Sequence, residues 1–204
     1  MGFLNRVFWA VFIVALLGTV SPIFAEDLAA ALASGKVTVR FSGNGGSSGD
    51  SVEVVVGRTA KAGDGAITLT IPAGTRLQSR NASEQNMVVA AVRGRAMGGE
   101  SYAQASAIEV PDSGSATYIL EGYCMDFEKD NPSANTAFSI GSPDPVLAAI
   151  LSATTGLSTV AKQAAVWIYT DRSTYGHVNE KFHVSKEDWA AAEAAVRKAQ
   201  AHSE

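Results

Sequence analysis

The sequence predicts an α+β fold, an antiparallel β-sandwich followed by a C-terminal helical part. Three observations lead there. Between positions 36 and 127, short runs rich in Val, Ile, Thr and aromatic residues recur, separated by Gly, Pro, Ser and Asn turn signals. After position 143 the pattern changes to Ala- and Leu-rich runs, each preceded by a residue suited to cap a helix: Asp144, Ser158 and Ser185. The strand–glycine–helix alternation of a dinucleotide-binding fold does not occur.

Taken in order, Arg6 precedes an apolar run from Val7 to Val20, then Pro22 and a small residue, Ala25, ahead of acidic Glu26 and Asp27. This reads as a signal peptide over residues 1–25, cleaved near Ala25. The run falls short of the ~20 residues that span a bilayer, and no second run of spanning length follows. The mature chain, 26–204, is therefore expected to be exported, periplasmic or extracellular, with no membrane span. It is expected to form one domain, a sandwich over 36–127 with a mainly helical cap over 143–204.

Asp27 to Ser34 forms a short helix ended by Gly35. Val37, Val39 and Phe41 alternate with polar residues as a first strand, and Gly43 to Gly49 is a flexible loop with no phosphate-loop Lys after it. Further strands are expected over Val52–Val56, Ala66–Ile71, Met87–Val92, Ala107–Val110 and Ala116–Phe127, with turns at Lys61–Gly65 and Pro72–Thr75. Helices are expected over Val146–Ala153, Thr159 to about Tyr169, and Lys186 to about Ala201. Ser185 and Asp188 form a capping box for the last of these. Tyr169–Phe182 reads as a polar-aromatic loop.

Composition narrows the function classes. The 204 residues are 47% hydrophobic and 18% charged, which excludes a disordered chain. A formal charge of −4 without a basic stripe argues against nucleic acid as a partner. One Cys excludes a disulfide framework and multi-Cys metal sites, and three His leave no His-rich centre, so no cofactor is expected.

The one constellation with chemical content pairs Cys124, late in the longest strand, with Gln163 in the second C-terminal helix. At about 100° per residue, Val160, Ala164 and Trp167 share a helix face and Gln163 falls within it, whereas Lys162 falls on the other side. A Gln turned into a core must find partners or cost roughly 1–3 kcal/mol. In one account Gln163 pairs with main-chain groups of the strand it packs on, and Cys124 is a small buried hydrophobe. In the other, the thiol and the carboxamide condense into an internal thioester, in a site that Tyr123 and Trp167 keep dry.

Tyr123-Cys124 together with Gln163-Ala164-Ala165-Val166-Trp167 resembles the thioester domains of bacterial surface adhesins. Ile71-Pro72-Ala73-Gly74-Thr75 and Gln85 to Val89 extend the likeness to exported bacterial proteins of similar layout whose function is uncharacterised. The adhesin resemblance implies that Cys124 supplies the sulfur and Gln163 the acyl group, with Tyr123, Ala165 and Trp167 as packing residues. It further implies a non-enzymatic adhesion module attaching covalently to a surface protein or other amine-bearing polymer. The sequence departs from that pattern at Lys162 and in the separation of the pair, 39 positions.

Two other function classes stay open. One is a structural envelope or secreted protein in which Cys124 and Gln163 are ordinary core residues. The other is an enzyme with Cys124 as nucleophile, served by His177 or His183 and Asp126. Asp126, Glu128, Asp130 and Asn131 form an oxygen-rich cluster without the order of a calcium loop, interrupted by Lys129, and read as solvated. Asn81-Ala82-Ser83 fits a glycosylation acceptor.

Overall fold

A computed structural model describes residues 25–99 and 101–201. The signal-peptide reading of residues 1–25 thus falls almost wholly outside the described residues. The fold is α+β with a C-terminal helical part, as the sequence predicts, but the strands close into a barrel rather than stacking as a sandwich. Among the described residues there are ten strands: β1 (Glu26–Asp27), β2 (Val37–Gly43), β3 (Ser48–Arg58), β4 (Ile67–Thr70), β5 (Thr75–Ser79), β6 (Met87–Gly98), β7 (Ser101–Gln104), β8 (Ile108–Val110), β9 (Ser115–Cys124) and β10 (Ala137–Pro143). Hydrogen bonding runs β5–β10–β2–β3–β9–β6, and β6 returns to β5, a closed ring of six. β7 extends the ring as a hairpin on the far half of β6. A separate three-stranded sheet, β1–β4–β8, shares the barrel's apolar core.

The closing strands explain the departure. β5 and β10 carry buried residues at alternate positions, Thr75 and Leu77 on one and Phe138 on the other, among polar neighbours. Each is too short and too polar to stand out from a turn by periodicity alone. Closure hides the edges that a sandwich would leave open.

The core is filled by the inward positions of long strands: Phe41 on β2, Val52, Val54 and Val56 on β3, and Tyr118 and Leu120 on β9. Tyr118 also serves the second sheet. Its hydroxyl accepts from Glu109 N–H at 2.9 Å and donates to Glu109 C=O at 3.0 Å, pinning β8 against β9.

The described residues also form five helices: α1 (Leu28–Ala33), α2 (Pro145–Ala153), α3 (Thr159–Thr170), α4 (Tyr175–Lys181) and α5 (Lys186–Ala201). Each cap predicted for the three long helices is present. Asp144 Oδ1 accepts from Val146 N–H and Leu147 N–H, Ser158 Oγ from Ala161 N–H, and Ser185 Oγ from Asp188 N–H. The expected loop over Tyr169–Phe182 instead contains α4, which opens at Thr174. The barrel hands over to α2 at Gly74, whose N–H donates to Val89 C=O and whose C=O accepts from Asp144 N–H, both at 2.9 Å. Gly74 has φ +84°, and a Cβ there would lie 2.5 Å from Asp144 O, so only glycine allows this approach.

α3 lies between the barrel and helices α2 and α5, so it is buried nearly all round. Small residues make that possible. Ala164 and Ala165 join the main core, while Val166 joins a second cluster with Val88, Tyr123, Leu147 and Leu151 beneath α2.

Candidate functional site

From Tyr118 onward β9 is buried on both faces: its inner side chains fill the barrel, and of its outer ones Glu121 and Tyr123 lie against α2 and α3. The last residue of the strand is Cys124. Here β3 has run out, and α3 takes over as the neighbour of β9. Cys124 N–H donates to Ser47 C=O at 3.0 Å, the final rung on that side. The carboxamide of Gln163 then closes on the same residue. Its Oε1 accepts from Cys124 N–H at 2.9 Å, and its Nε2 donates to Cys124 C=O at 2.8 Å. A side chain of α3 thereby continues the ladder that the strand can no longer continue.

Cys124 and Gln163 are both fully buried. The Cys124 sulfur rests 3.4 Å from Met87 Sδ. Burial, with a lesser contribution from the Asp126 carboxylate, pushes the thiol far above its ordinary range, so it is neutral at any physiological pH. The sequence-predicted pair is therefore in direct contact across the strand–helix interface, through two hydrogen bonds to main-chain atoms.

The supporting residues divide between two sides. Trp167, one turn after Gln163, stacks edge-on against Phe127 (centroids 4.9 Å apart) and Phe182 (5.0 Å), and its indole N–H has no hydrogen-bond partner among the described residues. Ala165 is completely buried in the same core. Tyr123 points the other way. Its ring belongs to the cluster beneath α2, and its hydroxyl donates to Glu121. It seals the outer face of the strand rather than the sulfur, a correction to the expectation that it screens the thiol from water. That alternation follows from the strand period of two.

Sequence reasoning missed the residues that complete the site. Met87 supplies the neighbour of the sulfur, and Ser47 shares the Cys124 N–H. Asp171, which follows α3, accepts from Phe127 N–H at 3.3 Å and holds the chain just past the cysteine. Glu121 accepts from Lys162 Nζ at 2.8 Å. An acidic residue within the most apolar strand was the visible signal for that last contact. A cleft of ≈ 220 Å³ opens beside the pair, lined among others by Ser47, Phe127, Trp167, Lys181 and Phe182.

Of the residues proposed for other chemistry, His177, Asp126, Glu128 and Asn131 are engaged elsewhere, and His183 is exposed. His177 meets Glu128 at 2.6 Å and packs on Phe127. Asp126 accepts from Asn86 N–H and pairs with Lys129, and Glu128 pairs with Lys181. Asn131 accepts from Gln85 Nε2. Among the described residues no group of three or more His, Cys, Asp or Glu side chains is arranged to hold a metal ion, and no helix is long and apolar enough to cross a membrane. Asn81 lies on an exposed turn, where its Oδ1 accepts from Ser83 N–H.

No family model, no curated protein and no solved structure matches this chain.

Proposed function

We propose that the chain is an exported, non-enzymatic binding module of the adhesion type, in which Cys124 and Gln163 form an internal thioester that attaches it covalently to an amine-bearing partner. One observation carries this reading: the fully buried carboxamide of Gln163 is held by two hydrogen bonds against the main chain of Cys124, the only cysteine of the chain, in a closed interface.

The local geometry suits the chemistry. The Cys124 sulfur attacks the Gln163 side-chain carbonyl carbon, and negative charge develops on Oε1. A backbone donor, Cys124 N–H, already lies 2.9 Å from that oxygen, where it stabilises the tetrahedral intermediate. The thiol proton passes to Nε2, the C–N bond breaks and ammonia leaves. The product joins Sγ to the former amide carbon. A primary amine then opens it, forming a new amide at Gln163 and restoring the Cys124 thiol. Each molecule reacts once, so the protein does not turn over. Burial protects the bond from hydrolysis until a partner arrives.

The test is incubation of the purified protein with methylamine, followed by peptide mapping. A methylamide at Gln163, with release of a free thiol at Cys124, supports the reading. An unmodified Gln163 carboxamide beside an unlabelled thiol overturns it.

A second reading is favoured by a specific observation. The carboxamide has both its polar groups satisfied by Cys124 main-chain atoms, and the neutral thiol packs on Met87. In that reading the pair is a non-covalent clasp between barrel and cap in a structural envelope or secreted protein. The methylamine experiment separates the two, because a clasp gives no adduct.

A further inference from the structure

Glu121 stands in the middle of the most buried strand, its side chain only 11% exposed. One of its oxygens, Oε1, takes two donors, the Tyr123 hydroxyl at 2.5 Å and Lys162 Nζ at 2.8 Å. Its other oxygen faces Arg93 at 3.7 Å, and Arg93 in turn pairs with Asp50 at 3.2 Å. Burial pushes the Glu121 carboxyl up, but the hydrogen bonds from Lys162 and Tyr123 outweigh it and hold the group charged. Glu121 and Lys162 also line a cleft of ≈ 280 Å³ between the barrel and α2, walled by Ala73, Ala90, Ala91 and Ala148.

The positions matter more than the charge. Tyr123 immediately precedes Cys124, and Lys162 immediately precedes Gln163. A single carboxylate oxygen thus ties together the residues just upstream of the sulfur and of the carboxamide. α3 is fastened to β9 at two points about 100° apart around its axis, Gln163 to Cys124 and Lys162 to Glu121. Packing on several sides limits the roll of the helix but is carried largely by small alanines, whereas two polar attachments on different sides add a directional restraint on its rotation and with it on the placement of the carboxamide.

We infer that Glu121 and Lys162 are positioning residues: their ion pair sets the rotation of α3 and so holds the Gln163 carboxamide against Cys124. The chemical consequence rests on the thioester reading, since a displacement of about 1 Å in a reacting pair slows reaction by up to about 100-fold. The geometric consequence does not depend on that reading. The brace accounts for a largely buried Lys in the first turns of a helix that is packed nearly all round. It also accounts for a charge in a strand where an apolar residue would avoid the cost of desolvation.

The test reads geometry and chemistry separately. In a Cys124→Ala background, which keeps both main-chain partners of Gln163 and forms no bond, NMR follows hydrogen exchange of the Gln163 carboxamide protons. Glu121→Ala and Lys162→Met are expected to speed that exchange by about tenfold or more, and Lys162→Arg to restore it. Tyr118→Phe, which loosens β8 from the part of β9 six residues before Cys124, serves as the control for a general loss of stability and is expected to leave this exchange unchanged. With Cys124 present, the same Glu121 and Lys162 variants are expected to slow ammonia loss by about tenfold or more. Exchange in Glu121→Ala and Lys162→Met equal to the parent, or raised no more than in Tyr118→Phe, overturns the inference. If the parent with Cys124 keeps its ammonia, the thioester reading fails, while the exchange comparison still decides the brace.

Discussion

Replacing Gln163 by leucine, in a Cys124→Ala background so that no covalent bond contributes, tests how the cap is joined to the barrel. The two side chains are close in volume, so packing changes little. The position 124 N–H loses Gln163 Oε1 but keeps Ser47 C=O at 3.0 Å, and stays satisfied. The carbonyl of the same residue loses Nε2 at 2.8 Å, in a site closed to water. One orphaned buried acceptor costs about 1–3 kcal/mol. At about 2 kcal/mol, a domain of this size loses roughly 4–8 °C in melting temperature. Gln163→Glu is expected to cost more, because a carboxylate then faces that carbonyl with no donor between them. Thermal and urea unfolding of the three proteins provide the assay. A leucine variant as stable as its parent would refute the reasoning, by showing that the carbonyl gains nothing from the carboxamide.

Other predictions concern the thiol and the junction to the cap. In the form that still carries its thiol, Cys124 should resist thiol reagents until the protein unfolds. Because burial raises the folded-state value, the unfolded chain gives up this proton first as pH rises past about 8.5, and stability then falls by about 1.4 kcal/mol per pH unit. Tyr123, raised by burial and by its bond to Glu121, adds a loss above about pH 10. Cys124→Ala should remove the first loss and keep the second, as urea titrations at stepped pH would show. Gly74→Ala should destabilise by well over about 1 kcal/mol, because it combines a positive φ with a Cβ only 2.5 Å from Asp144 O. An alanine variant there that melts with the parent would contradict the account of how α2 is seated.

The helical part is legible residue by residue because its signals are local. Asp144, Ser158 and Ser185 sit where capping side chains sit, and the spacing of Val160, Ala164 and Trp167 is enough by itself to put Gln163 on the core-facing side of its helix. The barrel is not legible, because closure depends on β5 and β10. Leu77 and Phe138 are their main apolar anchors, and neither gives a periodic run long enough to distinguish a strand from a loop. α4 is hidden for a similar reason: Tyr175 to Lys181 is polar and holds one fully buried residue, Val178.

At the site, the meeting of Cys124 and Gln163 follows from one residue out of place, a polar group on an apolar helix face. Its partner atoms do not, because main-chain groups carry no sequence signature. Nor does the sulfur's contact with Met87, which depends on the register of β6 against β9. Glu121 is visible as a charge within an apolar strand, whereas Lys162 falls on the polar side of its helix and gives no signal of its own. Only the register of α3 on the strand shows that they answer one another.

The most direct measurement is the intact mass of the mature protein, compared with that of its Cys124→Ala variant. The account predicts that the parent is lighter than its sequence by one ammonia, and that the variant has its full mass. A parent of full mass, carrying one thiol that becomes reactive only on unfolding, would contradict the covalent claim and leave Gln163 as a clasp on Cys124.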